Sequence, residues 1–140
     1  MTYLEHANLT VPDIDAEIAF LQAVDPAMRI LQDARDEDGM RWAHVAVGDS
    51  YIALQEPHVG ETPGPRIRSY VDIGVNHLAW VVEDLEAVLR RMEAGGYRKG
   101  IPGEEHAARR RSYWYDPAGI EWELVQYLTE DRGERFSYGP

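Results

Sequence analysis

The sequence predicts an α+β protein built from two tandem β-α-β-β-β modules, and an internal repeat is the main evidence. Residues 4–16 align with residues 75–87, so that His6 falls on His77 and each segment runs from a strand into an acidic helix start. After each predicted helix come strand-like runs separated by turn residues. The same order of elements therefore occurs twice, which indicates two similar modules in one chain.

Each module contains one amphipathic helix. In both helices, apolar residues recur at the spacing that places them on one face. The first helix is predicted from about Asp13 to Gln22 and ends before Asp25-Pro26, because a proline disfavours helical backbone in the residue before it. The second is predicted from about Asp84 to Ala94, and the glycine pair that follows is typical of a helix end.

Alternating and β-branched runs predict the strands that follow the helices. Clusters of Asp and Gly, or of Pro and Gly, separate these runs and indicate turns. The predicted strands are residues 28–34, 40–47 and 51–55 in the first module, and residues 97–101, 111–115 and 120–127 in the second.

The chain length of 140 residues is typical of one domain, so we expect both modules to belong to a single domain over residues 1–140. Module 1 covers about residues 3–57 and module 2 about residues 74–128. Residues 58–73 form a linker rich in Pro and Gly. Residues 129–140 form a polar tail that we expect to be loosely held.

The charge of the chain excludes several classes of partner. The net charge is −11, and a surface this acidic repels phosphate backbones and anionic lipids. We therefore expect neither a nucleic acid nor a membrane as partner. The sequence contains no cysteine, no apolar run long enough to span a membrane and no secretory signal, so we expect a cytoplasmic protein.

Strand alternation predicts that His6, His77 and Glu123 share the sheet face opposite the helices. A single strand histidine is more often a surface or core residue than a ligand, whereas two at the same repeat position favour a shared role. Two imidazoles and a carboxylate suit one divalent metal ion with open positions for substrate. Iron, manganese, nickel and zinc all accept this set, so the sequence leaves the metal open.

The chain resembles the vicinal oxygen chelate superfamily, which includes glyoxalase I, extradiol dioxygenases, bleomycin-binding proteins and fosfomycin-resistance transferases. The segments that carry the resemblance are residues 4–6, residues 74–77 and the Tyr-x-x-Asp-Pro-x-Gly-x-x-x-Glu pattern of residues 113–123. The resemblance implies two modules that pair into a cup of curved mixed sheet around a divalent ion. It also implies His6, His77 and Glu123 as the metal ligands, and a homodimer.

One ligand position departs from glyoxalase I. Aligning residues 51–55 with residues 121–125 places Ala53 where a second glutamate would lie. Gln55 shares that face and is a candidate to bind substrate or to act as a weak ligand, whereas Glu56 has the opposite parity unless a bulge intervenes. The missing carboxylate makes the site more similar to those of extradiol dioxygenases and fosfomycin transferases.

Three further residues are candidates for the site. Tyr113 matches a pocket tyrosine of both groups and is expected to bind substrate and to donate to its oxygens. His106 is an acid–base candidate, although a histidine in such a loop is more often a solvated residue. Glu121 shares the face of Glu123 and is a candidate to bind substrate.

We therefore expect a divalent-metal enzyme that chelates vicinal oxygens of a small substrate, with dioxygenase chemistry favoured. A lactoylglutathione-lyase-like lyase or isomerase is an alternative, with Glu121, Glu123 or His106 as its base. A fosfomycin-type thiol transferase is another, in which the basic triplet at residues 109–111 would hold a phosphonate. The last alternative is a non-enzymatic dimer that sequesters a cationic antibiotic.

Overall fold

A computed structural model describes residues 1–138, and the chain divides into two compact units, Met1–Pro65 and Arg66–Pro140. Within its described residues, each unit has one four-stranded mixed sheet and its elements follow the β-α-β-β-β order. This confirms the predicted α+β class and the two tandem modules. The boundary between the units falls inside residues 58–73. Among the residues described, no helix has both the length and the apolar character that a membrane span requires.

The first unit contains a mixed sheet and one long helix. Its elements are β1 (His6–Thr10), α1 (Ile14–Val24), β2 (Arg29–Arg35), β3 (Arg41–Val47) and β4 (Ser50–Gln55). The strands lie in the order β1-β4-β3-β2, with β1 parallel to β4 and the other neighbours antiparallel. The bounds lie close to those that the hydrophobic pattern predicts.

The second unit repeats this topology. Its main elements are β5 (His77–Val81), α2 (Leu85–Ala94), β6 (Arg98–Lys99), β7 (Arg109–Tyr115) and β8 (Glu121–Tyr127). The strands lie in the order β5-β8-β7-β6, and β5 runs parallel to β8. Strand β7 begins at Arg109, earlier than the predicted start at residue 111.

Strand β6 is much shorter than the predicted residues 97–101. The backbone N–H of Gly100 still donates to the carbonyl of Tyr113 at 2.7 Å, but Pro102 has no N–H with which to continue the ladder. At Gly103 a Cβ would lie 2.3 Å from the carbonyl oxygen of Arg111. The chain therefore leaves the sheet through a close backbone contact that suits glycine.

Both long helices begin in the same way, at an aspartate cap. The side chains of Asp13 and Asp84 each accept a hydrogen bond at 3.0 Å from a backbone N–H three residues later. Asp13 and Asp84, which the sequence predicts as the first helical residues, are therefore the N-caps that precede the helices. The first helix also runs to Val24, beyond the predicted end, because the restriction imposed by Pro26 acts only on Asp25.

Strand alternation divides each sheet into a helix-packed face and an opposite face. In the second unit Trp122 and Leu124 are almost fully buried, and the ring of Trp80 stacks on Trp122 with centroids 6.0 Å apart. Helix α2 contributes Leu85 and Met92 to the buried set. Since neighbours in register share a face, His77, Ala79, Glu121 and Glu123 lie on the opposite face.

The Asp-Pro-x-Gly part of the sequence motif forms the turn between β7 and β8. Buried Asp116 accepts hydrogen bonds from the backbone N–H of Ile120 and from the indole N–H of Trp122, each at 2.8 Å. Gly119 has a φ of 83° and donates to the carbonyl of Asp116 at 3.0 Å. A glycine adopts this conformation without strain, so the motif specifies the turn and anchors the core indole.

The tail contains more structure than the polar sequence suggests. Residues Arg132–Arg135 form a short helix, α3, capped by the side chain of Asp131. The buried guanidinium of Arg109 donates to the carbonyl oxygens of Arg135 and Ser137, at 2.8 and 3.1 Å. The expectation of a loosely held tail is therefore wrong for the described part, because an arginine from β7 holds it.

Candidate functional site

The second unit brings His77 and Glu123 together as the sequence predicts. Register pairs Ala79 with Glu123 across β5 and β8, so His77 and Glu123 lie diagonally on one face. His77 Nε2 lies 3.1 Å from Glu123 Oε2. Their side chains are 31% and 13% exposed, so the pair is partly shielded from water yet open to a small ligand.

Asn76 fixes the orientation of the His77 ring. His77 Nδ1 donates to Asn76 Oδ1 at 2.7 Å. In the neutral imidazole this leaves a lone pair on Nε2, directed at a carboxylate oxygen that also carries lone pairs. Two acceptors at this distance need a proton or a cation between them, and a histidine with its other nitrogen hydrogen-bonded is the usual form of a metal ligand.

Arg111 contacts the other oxygen of Glu123. Its Nε lies 3.1 Å from Glu123 Oε1, and its side chain is 20% exposed. The other two arginines of the basic triplet have different partners: Arg109 holds the tail, and Arg110 pairs with Glu86 of α2. The three side chains are therefore dispersed among separate contacts and do not all face one anion.

Tyr113 lies beside the pair, as the sequence predicts. Tyr113 lies on β7 and pairs in register with Glu123 on β8. Its ring meets the His77 ring edge-on, with centroids 5.7 Å apart. The residue is 8% exposed. Burial, together with the negative charge of Glu123, raises the pKa of the Tyr113 hydroxyl, so the phenol stays protonated and acts as a hydrogen-bond donor.

Glu121, a predicted substrate-binding residue, is fully buried and is held by tyrosines. The hydroxyl of Tyr70 donates to Glu121 Oε1. The pKa of Tyr115 is raised because its hydroxyl hydrogen-bonds Glu121 and is partly desolvated. The carboxylate of Glu121 is therefore engaged with the hydroxyl groups of Tyr70 and Tyr115.

Nothing in the sequence pattern points to Tyr70, which lies in the irregular segment before β5. Its φ is 67°, in the left-handed region that an L side chain rarely occupies. Such backbone strain persists only where the surroundings impose it, and the hydrogen bond to Glu121 is the contact that holds this residue.

The Tyr70 contact predicts a loss of stability at alkaline pH. Desolvation of the hydroxyl, its hydrogen bond to Glu121 and the charge of Glu121 raise its pKa well above the ordinary value of about 10. The stabilisation is thus complete below about pH 10 and is lost as pH rises towards the folded-state pKa, because only the unfolded chain ionises readily.

Replacing Tyr70 with Phe is expected to reduce the free energy of unfolding at pH 7 by about 1 kcal/mol. The decline above pH 10 should also become shallower. Urea unfolding between pH 7 and 11 measures both, with Tyr3→Phe, a tyrosine of similar exposure in the first unit, as the control. Identical pH profiles for Tyr70→Phe and the unmodified chain would contradict the assignment.

In the first unit His6 is oriented in a similar way. His6 Nδ1 donates to the side chain of Glu5 at 3.1 Å, just as His77 Nδ1 donates to the residue before it. The His6 ring stacks on Tyr51 with centroids 4.6 Å apart, and Tyr51 in turn contacts His44 at 4.8 Å. This leaves Nε2 as the nitrogen of His6 that is available for a ligand.

The register of the first sheet confirms that Ala53 takes the position corresponding to Glu123. Ala53 pairs with Asn8, as Glu123 pairs with the equivalent residue of β5. The side chain of Gln55 accepts a hydrogen bond from Asn8 at 3.1 Å and lies on the same face. Glu56 lies beyond β4 and pairs with Arg35, so it is engaged away from that face.

His106 lies in the loop before β7. Its Nδ1 accepts a hydrogen bond from the backbone N–H of Ala108 at 3.0 Å, which places the proton of the neutral ring on Nε2. The ring lines an open surface depression together with Gly103, Arg110 and Arg111. His106 and Arg111, the arginine that contacts Glu123, thus line the same depression.

Among residues 1–138, no group of three or more His, Asp or Glu side chains is placed to hold a metal ion. The predicted ligands His77 and Glu123 form a pair, and His6 belongs to the first unit. Sequence reasoning missed Asn76, Glu5 and the contact of Arg111. For the first two the signal was present, since both immediately precede a repeat histidine.

The sequence and the fold together define a member of a known class. Residues 5–115 match the Glyoxalase/Bleomycin resistance protein/Dioxygenase superfamily. The chain belongs to this superfamily, which is the vicinal oxygen chelate superfamily that the sequence resembles. No curated protein sequence matches the chain significantly.

Solved structures of this superfamily share the fold. A glyoxalase family protein from Bacillus cereus is similar with a TM-score of 0.77 and 18% identity, covering 92% of this chain and 96% of its own. A second similar structure is a variant of the fosfomycin resistance protein FosX from Listeria monocytogenes, complexed with Mn(II) and 1S,2S-dihydroxypropylphosphonic acid. Its TM-score is 0.73 and its sequence identity is 20%, over 98% of this chain and 99% of its own. A glyoxylase/bleomycin resistance protein/dioxygenase domain from Frankia sp. EAN1pec has a TM-score of 0.72 and 21% identity, over 91% of this chain and 98% of its own. At these identities the comparison establishes the fold and leaves the reaction open.

Proposed function

We propose that this protein is an enzyme that uses one divalent metal ion to bind two neighbouring oxygens of a small substrate. The observation that carries the proposal is the approach of His77 Nε2 to Glu123 Oε2 at 3.1 Å, with Nδ1 held by Asn76. His6 is the proposed ligand from the first unit. Its position in the repeat and its similarly held Nδ1 support that role.

The residues present fit a divalent ion. A divalent metal in octahedral geometry binds an imidazole nitrogen and a carboxylate oxygen at about 2.0–2.2 Å, so two ligands at a right angle lie about 3 Å apart. The distance between His77 Nε2 and Glu123 Oε2 has that value. Nitrogen and oxygen donors in this combination suit iron, manganese, nickel or zinc. FosX, whose fold is shared, binds Mn(II).

A bound divalent ion supplies Lewis acidity, which polarises substrate oxygens held at its open positions. The chain's own residues then orient the substrate. Tyr113 keeps its proton and is placed to donate to a substrate oxygen near His77. Gln55 offers an amide on the corresponding face of the first unit. His106 carries its proton on Nε2 and is the proposed acid–base residue.

Dioxygenase chemistry on a catechol-like substrate is the reaction we favour. Ala53 provides no second carboxylate, and Glu56 is paired with Arg35. The glutamate base expected of a glyoxalase I-like lyase therefore has no counterpart in the first unit. Fewer protein ligands also leave more metal positions open, and a site that must hold two substrate oxygens and dioxygen needs them.

A fosfomycin-type reaction is the second candidate. The FosX structure, with its diol phosphonate, favours it. A phosphonate requires several converging cations, however, and Arg109 and Arg110 are engaged with the tail and with Glu86. Arg111 alone of the triplet lies at the pair.

The test is to measure bound metal first and activity second. Protein purified without chelator is analysed for transition metals, then loaded with Fe(II) or Mn(II) and assayed with catechols for oxygen uptake and with fosfomycin for loss of the epoxide. Oxygen uptake is the expected result. Fosfomycin conversion would transfer the proposal to the second candidate. Absence of bound metal together with tight antibiotic binding would overturn it in favour of sequestration.

We also propose that the two units act as one domain within a cytoplasmic homodimer. In the described part of each sheet, two strands lie at an edge with one neighbour only, and edges of this kind are commonly covered by association. Light scattering coupled to gel filtration measures the mass. A monomer at micromolar concentration would contradict the dimer without affecting the metal site.

A further inference from the structure

We propose that Arg111 competes with the divalent ion for Glu123 and thereby sets the metal affinity of the site. This inference rests on the proposed function, in which Glu123 is a metal ligand. The two oxygens of that carboxylate face different partners. Oε2 faces His77 Nε2, and Oε1 faces Arg111 Nε, each at 3.1 Å. A metal ion bound between the imidazole and the carboxylate would therefore share its anionic ligand with a guanidinium.

The contact between Arg111 and Glu123 depends on charge more than on hydrogen-bond geometry. Although Nε lies within 3.1 Å of the carboxylate, over the described residues this buried N–H makes no aligned hydrogen bond. An aligned bidentate pair would hold the guanidinium firmly. The contact observed brings a positive charge to Glu123 but does not fix Arg111 to the carboxylate through an aligned Nε hydrogen bond.

Burial makes this competition strong. The side chains of Arg111 and Glu123 are 20% and 13% exposed, so water screens their charges less than at the surface. A guanidinium beside a metal ligand lowers the negative charge that attracts the metal and also repels a dipositive ion directly.

The adjacent arginine provides a matched control. Arg110 lies on the same strand, carries the same charge and is also paired with a glutamate, Glu86 of α2. Its side chain points to the other face and is 44% exposed. Removing Arg110 therefore changes the net charge of the protein by the same amount without altering the neighbours of Glu123.

The experiment measures the dissociation constant for Mn(II), by calorimetry and by the paramagnetic resonance of free Mn(II). We expect Arg111→Gln to bind Mn(II) at least about tenfold more tightly than the unmodified protein, which corresponds to about 1.4 kcal/mol. Arg111→Lys, which keeps the charge, should stay near the unmodified value, and Arg110→Gln should leave it unchanged. If Arg111→Gln does not fold, Arg111→Met serves in its place.

Each other outcome has a distinct meaning. Equal or weaker binding by Arg111→Gln, when the unmodified protein binds Mn(II), overturns the competition and leaves the proposed function intact. Equal tightening by Arg110→Gln also overturns it, because net charge alone would then explain the effect. Failure of every variant to bind Mn(II) overturns the proposed metal site and the inference with it.

Discussion

Replacing His77 with Ala is expected to weaken binding of a divalent metal at least about 100-fold. The substitution removes the proposed nitrogen ligand and leaves Glu123 without its imidazole partner, while the guanidinium of Arg111 stays beside the carboxylate. Mn(II) titration and elemental analysis of the purified protein measure the loss. Circular dichroism establishes that the fold persists, because His77 is only half-buried on its strand.

Two further variants make this prediction specific. His58→Ala removes an exposed loop imidazole and should leave the metal content unchanged. Asn76→Ala keeps the ligand but removes the hydrogen bond to Nδ1, and it should weaken binding by about 10-fold to 100-fold. A full equivalent of metal retained by His77→Ala would reject the proposed centre.

Replacing Asp116 with Ala is expected to lower the free energy of unfolding by about 3 kcal/mol. The side chain is buried and accepts from the backbone of Ile120 and from the indole of Trp122. Its loss leaves polar N–H groups buried beside a small cavity, and each unsatisfied buried group costs about 1–3 kcal/mol. Urea unfolding followed by tryptophan fluorescence measures the change.

The conservative variant Asp116→Asn keeps one carbonyl acceptor and should lose less stability than Asp116→Ala. Metal affinity should change little in either folded variant, because the turn that Asp116 builds is distinct from the His77–Glu123 pair. A loss below about 1 kcal/mol for Asp116→Ala would show that the hydrogen bonds to this carboxylate are dispensable.

Local patterns were sufficient to predict most of the elements and the sheet face that His77 and Glu123 share. Period-two alternation placed His77 and Glu123 on one face, and the repeat located Ala53 at the position corresponding to Glu123. These inferences succeed because side-chain direction in a strand follows from sequence position. The same logic fails where the chain leaves regular structure, as it does at the truncated β6 and in the tail held by Arg109.

Other features of the site depend on contacts that no periodicity encodes. Tyr70 reaches Glu121 from an irregular segment, with a backbone conformation unusual for a tyrosine. Arg111 belongs to a run of three arginines whose members separate to different partners only in the folded chain. Composition identified these arginines as a basic group, but it gave no means of assigning each one to its carboxylate or carbonyl.

The residues that precede the two repeat histidines differ in charge, and this difference bears on how strongly each ring can donate electrons. A carboxylate acceptor makes an imidazole a stronger electron donor than a neutral amide does. With Glu5 beside one ring and Asn76 beside the other, the two repeat histidines are chemically unequal. Replacing Asn76 with Glu would place the same acceptor beside both rings, so any difference that remained between the halves would have another cause.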